Sequence, residues 1–413
     1  MVRTAKHHRR QVGPRAAPPS RGTSQAGMGR YNARLVLSLI RSHGSLSKAA
    51  IARLTGLSAQ AISAIIGQLE RDGMLLRLAP VRGKVGQPST PLSLDPEGAF
   101  SLGFKFGRRR CDLVVMDFLG TVRRALHRTY AWPTPAALRS FLREQLPVAT
   151  RPFTPAQKAR IAGLGVAVPF ELWGWQAEVG APPAAMDAWR RFDIAAELPR
   201  LCPWPVHVCN DATAACAAEL TFGNRRQYAD FFYVFFAYFI GGGVVLRGNL
   251  YPGRSGNAGA VGSMPVPAAA TDGSAASRLI RCASLYLLEA MLRDAGADPA
   301  ILWRSPDDWD EIGATVERWI EQVTDSLAPA LLGVVSVIDF EAIVIDGAFP
   351  QAVRRRVVER TRDKLAGLDR QGLSPVEIVE GSIGGEARVI GAATLPLLAG
   401  FSRDREVLFK ETA

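Results

Sequence analysis

Apolar residues recur at helical spacing in three short runs near the start of the chain. Tyr31, Leu35, Val36, Leu39 and Ile40 mark a first helix ending near His43–Gly44. Ser47 suits an N-cap, and Ala50, Ile51 and Leu54 give the helix behind it one apolar face. Gly56 supplies a sharp turn with Leu57 packing beneath it, and Ser58 then caps a third helix whose stripe is Ala61, Ile62, Ile65, Ile66 and Leu69. The opposite face of that helix carries Ala59, Gln60, Ser63, Ala64 and Gly67, all small or amide-bearing. After Gly73 the pattern changes. Leu76, Leu78 and Val81 lead into the basic, Gly- and Pro-rich stretch 82–88, and residues 90–94 return from it, so two short strands form a wing.

Beyond a linker at Asp95–Pro96–Glu97–Gly98 the pattern is that of strands alternating with helices. A meander runs through Phe100–Phe106, Cys111–Asp117 and Thr121–Tyr130, then a helix from about Pro135 to Leu146 and a buried strand at Ile161–Val168. A Trp- and Pro-rich loop separates these from a strand at Val206–Cys209, a helix at Ala212–Phe222, and a strand pair at Phe231–Tyr238 and Val244–Arg247. Two long helices, Ser277–Ala295 and Asp308–Val323, precede a second strand-and-helix unit ending near Pro396. This order predicts an α/β body of two lobes facing a cleft.

Charge sharpens the picture at the N-terminal end. The formal net charge is +12, and all of it lies in residues 1–96, where 15 Lys and Arg face Glu70, Asp72 and Asp95. The remaining residues balance. A basic module on a neutral body is the footprint of a polyanion binder. Three helices and a wing outline a winged helix-turn-helix, with Ala59, Gln60 and Ser63 offered to a major groove of double-stranded DNA. Ser58 and Lys48 are placed to hold phosphates, and Arg82, Lys84 and Gln87 on the wing to reach phosphates or the minor groove. The blander readings are a plain helical hairpin and a solvated basic tail. The tail reading accounts for Arg3 to Arg21 but not for Arg30 to Lys84.

Other features narrow the class. Hydrophobic residues make up 48% of the chain and charged residues 21%, as in ordinary globular proteins. The longest apolar run, Phe231–Ile240, is about half of what a membrane helix needs. The basic N-terminus lacks a signal peptide's apolar core, and five cysteines form no C-x-x-C pair, so the expected location is cytoplasmic and no metal is expected. Residues 1–29 show no hydrophobic period and are expected to form a disordered basic tail, with Met1 or Met28 as the start. Domains follow at 30–96, 97–205 and 206–413, the last holding the ligand cleft and a dimerisation surface.

Several motifs then make a specific resemblance. They are LeuGly at 102–103 with AspPheLeuGly at 117–120, the run from Asn210 to Glu219, GlyGlyGlyValVal at 241–245, GlyAsnAlaGlyAlaValGlySer at 256–263, and ValIleGlyAlaAla at 389–393. With these the chain resembles the ROK family of sugar-responsive repressors and sugar kinases. The resemblance implies a winged helix-turn-helix followed by a two-lobed actin-like (RNase H-like) ATPase-type fold, and it runs from about Tyr31 to Leu398. Repressor members begin with a DNA-binding module, and kinase members usually lack one.

Departures from the family pattern argue against phosphoryl transfer. The first phosphate loop of the family carries an Asp where this chain has Lys105, and Gly-Thr where it has Arg108–Arg109. The second reads Gly-Thr-Gly where this chain has Ala237–Tyr238–Phe239, and bulky rings there block approach of the backbone to a phosphate. A Gly pair near the adenosine position is replaced by Asp346–Gly347. Asp211 matches the kinase base. Without ATP it is left to accept a hydrogen bond from a ligand hydroxyl beside Asn210, or the pair merely caps the following helix. The Glu and His with which the family touches its sugar are here Ala260 and Ser263, and Cys282 alone cannot complete the family's zinc site. Gly256, Asn257 and Ser263 remain as polar ligand-binding candidates. Pro169, Phe170 and Glu171 are placed to wall the cleft, and Trp173, Trp175 and Trp189 serve either core packing or sugar stacking.

The expectation is therefore a homodimeric or tetrameric transcriptional repressor of sugar uptake and catabolism genes that uses no cofactor, has no catalytic residues, and binds operator DNA and a sugar-like effector. A sugar kinase fused to a DNA-binding module, or a regulator whose body only dimerises or binds a protein, are the alternatives.

Overall fold

The computed structural model describes residues 24–81, 89–169, 181–223, 227–267 and 276–403. These fall into two compact units, one ending at Ser93 and taking in the chain from Phe401 onward, the other spanning Leu94–Gly400. No single described helix is long and apolar enough to cross a membrane.

In the first unit α1 (Gln25–His43) begins earlier than the sequence pattern suggests. Ser24 Oγ accepts a hydrogen bond from the Gly27 amide at 3.0 Å, and this cap recruits five residues expected in the tail. Gly44, at φ 75°, ends the helix. Helix α2 (Lys48–Thr55) is capped by Ser47, and α3 (Ala59–Arg71) by Ser58, each hydroxyl accepting from the third residue on at 3.2 Å. Between them Gly56 takes the left-handed conformation that a side chain would strain, and the chain bends by 118°. Val36, Leu37, Ile40, Ile51, Ile62, Ile66 and Leu69 are buried. Leu54, expected on the apolar face of α2, is 49% exposed, because this two-turn helix buries Ile51 alone. Strands β1 (Leu75–Arg77) and β2 (Leu92–Leu94) pair as the wing, which continues through an antiparallel bridge between Val81 and Ser89. Arg77 grips Glu70 through two hydrogen bonds of 2.5 and 2.9 Å and so ties the wing to α3.

The second unit repeats one motif. Strands β3 (Phe100–Phe106), β4 (Arg110–Asp117), β5 (Val122–Thr129), β6 (Ile161–Val168) and β7 (Val206–Asn210) form a sheet of order β5-β4-β3-β6-β7. The first three are antiparallel, and β6 and β7 run parallel to β3. Strands β8 (Phe231–Phe236), β9 (Ile240–Leu246), β10 (Asn249–Leu250), β13 (Ala342–Gly347) and β14 (Glu377–Glu380) repeat that order as β10-β9-β8-β13-β14, and a small pair, β11 (Pro265–Pro267) and β12 (Ala276–Arg278), is inserted. Helix α4 (Pro135–Thr150) packs Leu138, Phe141, Leu142 and Leu146 into the first core. Helices α6 (Leu285–Asp294), α7 (Gly313–Val337) and α8 (Gln351–Ala366) fill the second. The helix expected at Ser277–Ala295 is broken. Residues 276–278 are strand, a single turn covers Leu279–Cys282, and α6 starts afresh after Ser284, whose hydroxyl accepts from the Ile240 amide at 3.0 Å.

Two helices of small residues join the lobes. Helix α5 (Asp211–Phe222) is buried nearly all round from Ala212 to Glu219. Helix α9 (Ala387–Phe401) lies so close to the first sheet that a Cβ on Gly165 would sit 1.7 Å from the Ala392 carbonyl oxygen. A Cβ on Gly391 would meet the Ala214 carbonyl oxygen at the same distance. Hence the expected lobe boundary at 205/206 does not hold as drawn. Strand β7 extends the first sheet through its parallel pairing with β6, and the C-terminal helix returns to pack on that sheet.

Candidate functional site

On the N-terminal unit, Ala59, Gln60 and Ser63 stand exposed on one face of α3, and Lys48 is exposed at the start of α2. Ser58 is also exposed, with its oxygen engaged as a cap and its O–H free to rotate. The wing-tip residues Arg82, Lys84 and Gln87 lie outside the described residues.

In the second unit a cleft of about 240 Å³ opens at the ends of the central strands. The parallel strand β7 delivers Asn210 and Asp211 to its floor. Asn210 Oδ1 accepts from the Ala212 amide at 2.9 Å and caps α5. Asp211 faces an Arg that sequence reasoning passed over: Arg388 Nη1 donates to Asp211 Oδ2 at 3.4 Å, with both side chains largely buried. Thus Asp211 is held as an ion pair, while Asn210 takes the capping role. Asn257, Ala260 and Ser263 line the cleft, as does Pro169. Gly256 is not among the lining residues and serves the turn before Asn257 at φ 76°. Phe170, Glu171, Trp173 and Trp175 lie outside the described residues. Trp189 is core: it is 3% exposed, and its Nε1 donates to the Pro133 carbonyl at 2.7 Å.

The repeated hairpins β3–β4 and β8–β9 bring their turns, at Gly107–Arg108 and Ala237–Tyr238–Phe239, to the rim of the cleft. Both turns are filled by side chains. The Arg108 guanidinium lies 3.8 Å from the Tyr238 ring centroid and pairs with Glu289 at 3.0 Å, linking the first lobe to α6 of the second. Arg109 reaches the same carboxylate at 3.5 Å and covers the Trp303 ring, and Arg293 also pairs with Glu289. Tyr238, Phe239 and Tyr286 cluster behind Arg108, and burial pushes the Tyr238 phenol up to about 12 against the pull of Arg108. Lys105 is buried and bonded to Asp112 at 2.7 Å. Burial, and then the charge of Arg388, press its ammonium below the usual lysine range against the opposing pull of Asp112. Asp346, outside the cleft lining, is wholly buried and accepts from Arg354 at 2.6 Å, the Tyr233 hydroxyl at 3.0 Å and the Gly384 amide at 3.0 Å.

Of the residues missed by sequence reasoning, Arg278, Glu289 and Arg354 lie outside the motifs, while Arg388 directly precedes ValIleGlyAlaAla at 389–393. Glu289 had a signal, a lone charge within the apolar run LeuTyrLeuLeuGluAlaMetLeu at 285–292.

Comparison with known proteins places this arrangement. The ROK family profile matches residues 103–397, and a winged helix-turn-helix DNA-binding profile matches residues 30–75. The xylose repressor of Bacillus subtilis is 24% identical over 239 residues, covering 57% of this chain and 61% of the repressor. A solved ROK family transcriptional regulator, a homologue of the E. coli MLC protein, superposes with a TM-score of 0.65 at 18% identity, over 91% of this chain and 98% of that one. A ROK family glucokinase from Streptomyces griseus, solved with glucose and AMPPNP, superposes with a TM-score of 0.53 at 21% identity, over 72% of this chain and 99% of the kinase. The chain therefore belongs to the ROK family, and it carries at its N-terminus the DNA-binding winged helix-turn-helix of a transcriptional regulator.

Proposed function

We propose that the protein is a homodimeric transcriptional repressor whose grip on an operator responds to a sugar or sugar derivative in the cleft. The supporting observation is the pairing of a DNA-binding module with a body whose phosphate-loop positions are occupied by its own Arg108, Tyr238 and Lys105. A body that has filled its nucleotide site keeps a cleft but lacks the parts for phosphoryl transfer. Gln60 and Ser63 read a major-groove half-site, Ala59 permits close approach, and Lys48 and Ser58 hold phosphates. Arg82, Lys84 and Gln87 reach from the wing. Asn210, Asp211, Asn257 and Ser263 face the effector, with Gly256 shaping their loop. An effector shifts operator affinity to the extent that it binds two lobe arrangements unequally.

Gel shifts on the DNA upstream of its own gene, at two salt concentrations, test the DNA claim. Affinity is expected to fall steeply with salt. Gln60→Ala is expected to cost roughly 1–3 kcal/mol on the operator and little on unrelated DNA. Equal loss on both would remove Gln60 from the reading. Turnover of labelled ATP with any sugar would replace the repressor by the kinase reading.

A further inference from the structure

Resting on that reading, we infer that the effector is an anionic sugar, a ring bearing a carboxylate or a phosphate, and that Arg278 and Arg388 receive the anion. Three guanidinium groups line the cleft, those of Arg108, Arg278 and Arg388, against a single carboxylate, Asp211, among the described lining residues. The three differ in what they already hold. Arg108 is engaged by Glu289 and Tyr238. Arg388 makes one long contact to Asp211 and lies 5.5 Å from the Phe235 ring centroid, and its Nε is buried with no hydrogen-bond partner among the described residues. Arg278, at the end of β12, is exposed and has neither an ion pair nor a hydrogen bond from its side chain to any described residue.

A guanidinium carries five donors in a fork that fits a carboxylate or phosphate. Donors that no described residue uses, beside a small cleft, favour a ligand that brings negative charge over one that brings hydroxyls alone. The lining has changed in the same direction. Where the family touches its sugar with a Glu and a His, the cleft has Ala260 and Ser263, so a negative charge has gone and room has opened. Behind the wall the excess continues, for Arg108, Arg109 and Arg293 share the one carboxylate of Glu289. Asp211 stays available through its remaining lone pairs to accept from a ring hydroxyl, which keeps the sugar part of the ligand in the reading.

Calorimetric titration of the full-length protein with glucose, glucuronate and glucose 6-phosphate, and with the galactose counterparts, tests this. At least one acid or phosphate is expected to bind about tenfold or more tighter than its neutral parent, the scale of one charge-assisted hydrogen bond. That preference is expected to shrink with added salt and to vanish in Arg278→Gln, while Arg370→Gln, an exposed change away from the cleft, leaves it intact. Preference for the acid or for the phosphate ester identifies which anion is recognised. Neutral sugars binding as tightly as their charged partners would overturn the inference and leave sugar sensing standing. An unchanged preference in Arg278→Gln with a wild-type melting temperature would overturn the role of that residue. Silence across the whole panel would overturn both the inference and the sugar-sensing reading.

Discussion

Glu289 shows how one residue can hold two lobes together. Its carboxylate is 4% exposed and collects Arg108 from the first lobe with Arg109 and Arg293. Glu289→Gln leaves three guanidiniums without their counter-charge, and the expected loss is about 3 kcal/mol, in the range for breaking a buried pair. Arg108→Gln is expected to cost less, about 1–2 kcal/mol, because the carboxylate keeps two partners and what is lost is one charged hydrogen bond and a ring contact. Urea denaturation of the two variants checks the order, and a larger loss in Arg108→Gln would refute it. His207, on β7, carries a different signal. Burial lowers its pKa below the ordinary 6.5. As pH falls below about 6.5 the unfolded chain takes up this proton first, so stability is lost through the window between that value and the depressed folded one. The melting temperature of His207→Gln is expected to decline less over that window than that of the parent. Asp211 stood out in the sequence because it sits in a recognisable motif, and Arg108 and Arg109 because they depart from one, whereas Glu289 and His207 did not. Arg388, the partner of Asp211, comes from a helix 177 residues later, and no local pattern announces a pair of that separation.

At the scale of elements, the caps and turns of the N-terminal unit were legible because their causes are local. Ser47, Gly56 and Ser58 act within three or four residues of themselves, and the helices they bound follow. The joint between lobes was not legible. Gly103, Gly165 and Gly391 look like ordinary small residues of strands and a helix, yet each lets backbone meet backbone. Gly165→Ala is expected to cost more than about 3 kcal/mol, since the Ala392 carbonyl cannot move without shifting α9. Gly313→Ala, in open space at the start of α7, is expected to stabilise by about 0.5–1 kcal/mol. Thermal melts of the pair, with opposite signs of shift, test the close-packing account. The broken helix at 276–295 is a further miss. Its apolar spacing runs on past Ser284, but the hydroxyl of Ser284 and the indole of Trp319, which donates to the Ser284 carbonyl at 3.1 Å, hold the chain in a bend.

At the scale of the molecule, the repeat of one sheet order in two lobes brings equivalent hairpin turns to the same rim. In this chain both turns present bulky or charged side chains, and Asp346 is held in its own buried network. ATP with magnesium is expected to leave the melting temperature unchanged, because a nucleotide that does not bind the folded state cannot stabilise it. A rise of several degrees would mean that the filled loops open.

The sequence alone determined the helix-turn-helix and its wing, the excess basic charge beside it and the α/β class of the body. Each of these depends on neighbouring residues or on simple counting, and so survives without a fold. Tertiary structure alone decided that β7 belongs to the first sheet, that α9 returns to seal it, and that Asp211 is paired with Arg388. It also decided that Arg108 is spent on Glu289 while Arg278 faces the cleft. Those outcomes depend on which distant segments meet, and the energy of such a meeting comes from burial, close packing and charge neutralisation, which no local stretch of chain contains by itself.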